Sequence, residues 1–242
     1  MKYLLCCLML ACRLAGAAET VTLGAEDDWA PYSSAVERSA RGFAVDVIRA
    51  AYAAVGINVN FEVLPYARCL DETRRGRLAG CFDAVPNAMI GGDFLWPDHP
   101  LFTTHMNVYA LSDSRESGLT ARQLEGKTVG VERGYEYGDE FDLNTKIVRR
   151  VVDKNVQGFK MLLAGRIQYM AAEERIAKAL FIKEAAEFGG KFKLVGTVAT
   201  PGLYLAFTKQ GSDGARYLAK FNQGYAIIRD NGRYKAIEAI WF

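Results

Sequence analysis

The chain has 242 residues, 50% hydrophobic and 24% charged, with 23 Gly and 6 Pro, a profile of one large or two small globular domains at roughly 150 residues each. It excludes a disordered chain, a collagen-like repeat and a small disulfide scaffold. Lys and Arg total 30 against 28 Asp and Glu, but Lys2 and Arg13 lie in the first eighteen residues, which hold no acid, so the remainder is formally neutral and offers no electrostatic case for nucleic acid or an anionic membrane surface.

Met1-Lys2-Tyr3 opens with a positive charge, Leu4–Cys12 is apolar, and Ala15-Gly16-Ala17-Ala18 is small throughout. This is the plan of a secretory signal peptide over residues 1–18, cleaved before Ala18 or Glu19. The apolar run is too short to cross about 30 Å of hydrocarbon. The chain is therefore expected in the periplasm; lipid anchoring at Cys12 is a second reading, which Met9-Leu10-Ala11 fits poorly.

The rest alternates strands and helices. Val21–Ala25 reads as a strand. Gly42–Gly56 reads as a helix, with Phe43, Val47, Ile48, Ala51, Tyr52 and Val55 at three-to-four spacing. Asn58–Leu64 alternates Val59, Phe61 and Val63 as a strand does, and Pro65–Arg75 is a helix with Pro at its start and Gly76 at its end. Strands follow at Leu78–Val85, Met106–Ser112, Lys127–Val131 and Ile147–Val152, then a helix at Val156–Ala164 and a strand at Ile167–Ala171. Glu174–Phe188 reads as one long helix, Lys191–Val195 and Leu203–Thr208 as strands, and Ala215–Arg229 and Arg233–Phe242 as helices. Strand–helix alternation predicts an α/β class with parallel sheets. Lys127–Ala171 repeats the order of Val21–Val85, which predicts two lobes, 19–109 with 198–242 and 110–197, joined by two hinge segments near Tyr109–Ser112 and Gly196–Pro201. Ligands of open α/β sheets bind beyond the carboxyl ends of the strands, so a cleft between lobes is the expected site.

Beyond the signal only Cys69 and Cys81 remain. An even pair in an exported chain favours a disulfide over two separate thiols. No Cys/His cluster has zinc spacing, and His99 and His105 stand alone. No metal or cofactor is expected.

Six short motifs occur in a fixed order: Trp29-Ala30-Pro31-Tyr32, Gly42-Phe43-Ala44-Val45-Asp46, Pro65-Tyr66-Ala67-Arg68, Gly126–Val131 with Gly134, Gly165-Arg166-Ile167-Gln168, and Asn231-Gly232-Arg233-Tyr234 with a terminal Trp241-Phe242. In this order the chain resembles the family-3 extracellular solute-binding proteins, periplasmic receptors that deliver amino acids and similar polar solutes to ABC importers. The resemblance implies a periplasmic-binding-protein-like type II fold, two α/β lobes around a cleft. It also implies a small-molecule solute, an inner-membrane ABC permease as partner, and a monomer.

The resemblance also has gaps. Amino-acid receptors of that family carry an Arg about six residues before the Trp96-Pro97-Asp98 turn, where it grips the ligand carboxylate; here those positions are Ile90, Gly91 and Gly92. Tyr135 stands where a Thr is usual and Gln168 where an Asp is usual, while the acid that holds a ligand amine is matched by Glu173. The candidate site residues are therefore Glu26, Trp29, Tyr32, Arg68, Asp83, Asn87, Arg133, Tyr135 and Glu173. Trp29 and Tyr32 offer aromatic faces. Glu26 matches the acid that faces a cationic group. Asp83 ends an apolar strand, where an unpaired carboxylate is costly. Arg68 and Arg133 are the substitutes for the missing Arg, or else surface ion-pair residues; Glu173 is an amine acceptor or a helix N-cap. Asp46 is expected to be structural, beside a helix amino terminus.

The expected function is capture of a small polar, amine-bearing, amino-acid-like solute for import, with no catalysis. Two alternatives stay open: a dehydratase-like enzyme on the same scaffold, with Asp83 and Glu173 as acid and base, and a periplasmic sensor acting on a partner in trans.

Overall fold

A computed structural model describes residues 19–211 and 213–242. The expected signal peptide, with Cys6, Cys7, Cys12 and its cleavage site, lies outside the described residues.

In chain order the elements are β1 (Thr20–Glu26), β2 (Asp28–Trp29), β3 (Ser33–Val36), β4 (Ser39–Arg41), α1 (Phe43–Ala53), β5 (Asn58–Leu64), α2 (Tyr66–Arg74), β6 (Gly80–Ala84), β7 (Phe94–Leu95), β8 (Phe102–Thr103) and β9 (Met106–Leu111). A 3-10 turn at Ala121–Leu124 leads to β10 (Thr128–Glu132), α3 (Asp139–Asp142), β11 (Val148–Val152), α4 (Asn155–Leu163), β12 (Tyr169–Glu173), α5 (Glu174–Lys183), α6 (Ala185–Phe188), β13 (Phe192–Ala199), β14 (Gly202–Thr208), α7 (Asp213–Asp230) and α8 (Arg233–Trp241).

Two larger sheets share one plan. The first runs β5-β1-β6-β14-β7, with β8 also on β14; the second runs β11-β10-β12-β9-β13. In each, three parallel strands are joined by one that runs antiparallel: β14 beside β6 in the first, β9 beside β12 in the second. The sheets are thus mixed rather than purely parallel. β2, β3 and β4 form a third, small antiparallel sheet that no period-two apolar pattern announces.

The chain passes from the first sheet to the second between β8 and β9, at Thr104-His105, and returns between β13 and β14, at Thr200-Pro201. The first crossing therefore precedes the expected Tyr109–Ser112. Met106–Leu111 is a full strand of the second sheet, hydrogen-bonded to β12 on one side and β13 on the other. The single helix expected over Glu174–Phe188 breaks at Glu184, whose φ of −103° and ψ of 34° leave the helical region.

Both sheets are covered on both faces, as parallel strands require. α1 turns Phe43, Val47, Ile48, Ala51 and Tyr52 into the core against α7. The helix backbones nearly touch at Gly224, where a Cβ would lie 1.9 Å from the Ala51 carbonyl oxygen. Asp46 is structural: it accepts a hydrogen bond from Trp241 Nε1 at 3.1 Å and pairs with Arg49 at 3.1 Å. Cys69 on α2 and Cys81 on β6 form a disulfide across a Cα separation of 5.8 Å. α2 sits directly on β1, because a Cβ at Gly24 would come within 2.4 Å of Cys69 Sγ.

Among the described residues no helix is long and apolar enough to cross a membrane, and no three His, Cys, Asp or Glu side chains are grouped to hold a metal ion.

Candidate functional site

The carboxyl ends of the parallel strands of both sheets converge on one buried cavity. Glu26 is the last residue of β1, Asp83 lies near the end of β6, and Tyr66 follows β5. From the second sheet, Tyr135 and Glu136 follow β10. These residues line the cavity with Trp29, Val85, Met106 and Leu203. About 10 Å³ is open to the centre of a water molecule, room for a single one.

Three tyrosine hydroxyls bridge the two sides, each donating to a carboxylate on the other. Tyr135 donates to Glu26 Oε1. Tyr66 donates to Glu136, at 2.9 Å from Oε2 and 3.2 Å from Oε1. Tyr32 donates to Glu173 Oε1 at 3.0 Å. A more exposed ion pair, Lys154 to Asp28 at 2.5 Å, joins the same sides.

Asp83 owes its position to a β-bulge. Ala84 pairs with Tyr204 and Cys81 with Ala206, so Phe82 and Asp83 together oppose Leu205 alone. Asp83 has φ of +64°, a left-handed conformation uncommon for a residue other than Gly. It is 4% exposed, and neither carboxylate oxygen has a hydrogen-bond partner among the described residues; the same holds for Trp29 Nε1, at 3%.

The electrostatics of the cavity are one-sided. Four carboxylates, Glu26, Asp83, Glu136 and Glu173, are buried, and no Lys, Arg or His is among the buried residues described. Burial pushes the Glu26 carboxyl well above its usual range; the charges of Asp83 and Glu132 add to this, and the Tyr135 bond opposes it. Burial, then the charge of Glu173, does the same to Asp83. Glu136 is pushed up to about 8, burial outweighing its bond from Tyr66. Beside the cavity Glu132 rises to about 8, through burial and the charge of Asp28.

The candidate residues fall into three groups. Glu26, Trp29, Asp83 and Tyr135 line the cavity. Tyr32 and Glu173 lie just behind it. Tyr32 is fully buried, stacked on Phe102 with centroids 4.3 Å apart. Glu173 caps α5, accepting from the Ile176 amide at 2.7 Å through Oε2 and from Tyr32 and Thr104 through Oε1. Arg68, Asn87 and Arg133 lie outside. The Arg68 side chain is 66% exposed, its nearest carboxylate Glu72 at 3.9 Å. Arg133 is 65% exposed and pairs with Asp153 at 2.9 Å. Asn87 Oδ1 accepts from the amides of Met89 and Ile90, at 2.9 and 3.0 Å, and so holds a turn.

Tyr66 and Glu136 are cavity residues that the sequence reading passes over. Each had a signal: Tyr66 stands in the Pro65-Tyr66-Ala67-Arg68 motif, and Glu136 is an acid between two tyrosines.

No protein-family model matches the chain, and no curated protein matches it. Solved structures do. An ancestral arginine-binding protein bound to arginine is 18% identical, with a TM-score of 0.76 over 92% of this chain and 98% of that one. The arginine-, lysine-, histidine-binding protein ArtJ from Geobacillus stearothermophilus is 16% identical, with a TM-score of 0.77 over 93% and 95%. A histidine kinase sensor domain with similarity to periplasmic binding proteins is 21% identical, with a TM-score of 0.76 over 92% and 96%. These likenesses assign the fold, α/β and periplasmic-binding-protein-like, type II.

Proposed function

We propose that the chain is an exported periplasmic solute-binding protein that captures a small, polar, amine-bearing solute and delivers it to an ABC permease. In this reading the units built on the two sheets are lobes, divided near Thr104-His105 and Thr200-Pro201, and the mature chain begins at Ala18 or Glu19. One observation carries it: the strand ends of both sheets meet at a buried cavity lined by three carboxylates and by no Lys, Arg or His. A ligand there touches both lobes at once, so its binding free energy favours the closed form that a permease would recognise. Two of the similar solved structures are receptors for cationic amino acids, which agrees with an amine-bearing solute.

The dehydratase-like alternative needs Asp83 and Glu173 to face one substrate. Glu173 instead spends both oxygens on Tyr32, Thr104 and the Ile176 amide. The sensor alternative has one likeness in its favour, the histidine kinase sensor domain.

The test is native mass spectrometry of the mature protein after incubation with the small-molecule fraction of its host cells. The expected result is a low-mass adduct that denaturation releases. A spectrum with no adduct refutes the proposal.

A further inference from the structure

We infer that the solute is an organic dication without a carboxylate, an aliphatic diamine or a guanidino-amine. This deepens the solute-binding reading and rests on it. The carboxylates of Glu26 and Asp83 on one side and Glu136 on the other face one cavity; it has room for one water as it stands, so a solute enters by displacing the Tyr135–Glu26 and Tyr66–Glu136 bonds and parting the two sides. Asp83 is the decisive group. A bulge turns it inward at φ of +64°, and its two buried oxygens have no partner among the described residues. A buried carboxylate without a donor is costly, and a ligand N–H would remove that cost.

The same cavity offers an anion no cationic partner, and among the described residues only Trp29 Nε1 is an unpartnered side-chain donor in its lining. No Arg, Lys or His lines it. Two backbone donors at the nearby turn are engaged, the Arg133 amide on Val152 O at 2.9 Å and the Tyr135 amide on Glu132 O at 3.4 Å. The amino end of α5 is capped by the Glu173 carboxylate. Ahead of α4, the amides of Asp153 and Lys154 are bonded to Gln157 Oε1 at 3.0 and 3.3 Å. A zwitterionic amino acid would bring its carboxylate among three acids with no cation to receive it.

One ammonium would reach the carboxyls of one side only, whereas two reach both sides. The hydroxyls of Tyr135 and Tyr66 now donate to Glu26 and Glu136, which marks where ligand N–H groups would donate. A charge-assisted bond from an ammonium or guanidinium is roughly twice as strong as the neutral bond it replaces. Trp29, Tyr66 and Tyr135 supply aromatic faces for the methylenes and for cation–π contact.

The experiment is calorimetric titration of the mature protein with three matched pairs that differ by one carboxylate: putrescine and ornithine, cadaverine and lysine, agmatine and arginine. Butylamine serves as a monocation. At least one dication is expected to bind roughly tenfold or more tightly than its amino acid and than butylamine. Asp83→Asn, nearly isosteric and suited to a left-handed backbone, is expected to lose roughly tenfold or more in dication affinity while raising the melting temperature in amine-free buffer. An amino acid that binds as tightly as its decarboxylated partner overturns the inference and leaves the solute-binding reading standing. So does failure of all three dications to bind, or undiminished dication binding by Asp83→Asn. The solute-binding reading falls separately, if the cell fraction gives no adduct.

Discussion

Raising the pH from about 5.5 to 8 in amine-free buffer is expected to weaken this fold, and Glu136 sets the scale. In the folded chain its carboxyl is pushed up to about 8, from an ordinary 4.5. Between those values the folded form holds a proton that the unfolded form has released. Stability therefore falls as pH rises through the window, and the full penalty is present above the folded value. At about 1.4 kcal/mol per tenfold, a shift of this size corresponds to about 5 kcal/mol, a ceiling that relaxation of the site reduces. Glu26 and Asp83 act in the same direction, but they are coupled through one cavity and do not simply add. The lowered carboxyls Glu72 and Glu125 titrate below 4.5, outside the window. The assay is urea denaturation of the mature protein at both pH values with the disulfide intact. The wild type is expected to be at least ~2 kcal/mol more stable at the lower pH. Glu136→Gln keeps an acceptor for Tyr66 and removes this one titration, so it should make the profile shallower, the other raised carboxyls remaining, and gain stability mainly at pH 8. A wild type whose stability is level or rises with pH refutes the assignment of buried carboxyls without a cationic partner.

Two further predictions test the frame that holds the site. Free-thiol counting on denatured, unreduced mature protein should give none, and reduction should cost about 3 kcal/mol for a loop of this length; two free thiols per chain refute the Cys69–Cys81 bond. Gly224→Ala places a methyl against the Ala51 carbonyl oxygen and should cost roughly 1–3 kcal/mol in denaturation while leaving solute affinity unchanged; an unaltered midpoint refutes the close approach of α1 and α7.

What the sequence made legible follows from periodicity and burial. β5 appears with the bounds its alternation predicts, because Val59, Phe61 and Val63 mark one face. α1 appears because its apolar residues recur at helical spacing. Asp83 stood out because an acid in an apolar strand conflicts with its surroundings. Arg68 turns away from the cavity for a geometric reason. On α2, Arg68 is two residues from Tyr66, about 200° around the helix, so when Tyr66 faces the cavity Arg68 faces solvent. A sequence motif names both residues without saying which one turns inward. The small β2-β3-β4 sheet and the break at Glu184 depend on tertiary contacts and on one backbone conformation, and neither leaves a periodic trace.

The tyrosine–carboxylate bonds also explain how so acidic a site can exist in a folded protein. Buried carboxylates need donors, and a lysine or arginine built into the cavity would supply them permanently. It would also compete with any cationic solute for the same oxygens. A neutral hydroxyl satisfies Glu26 and Glu136 more weakly than an ammonium does, so the exchange of one donor for the other favours the cation. Asp83 carries this logic further, with no protein donor among the described residues. Its cost to the fold and its attraction for a cation have the same origin, which is why Asp83→Asn is expected to raise stability and lower affinity together.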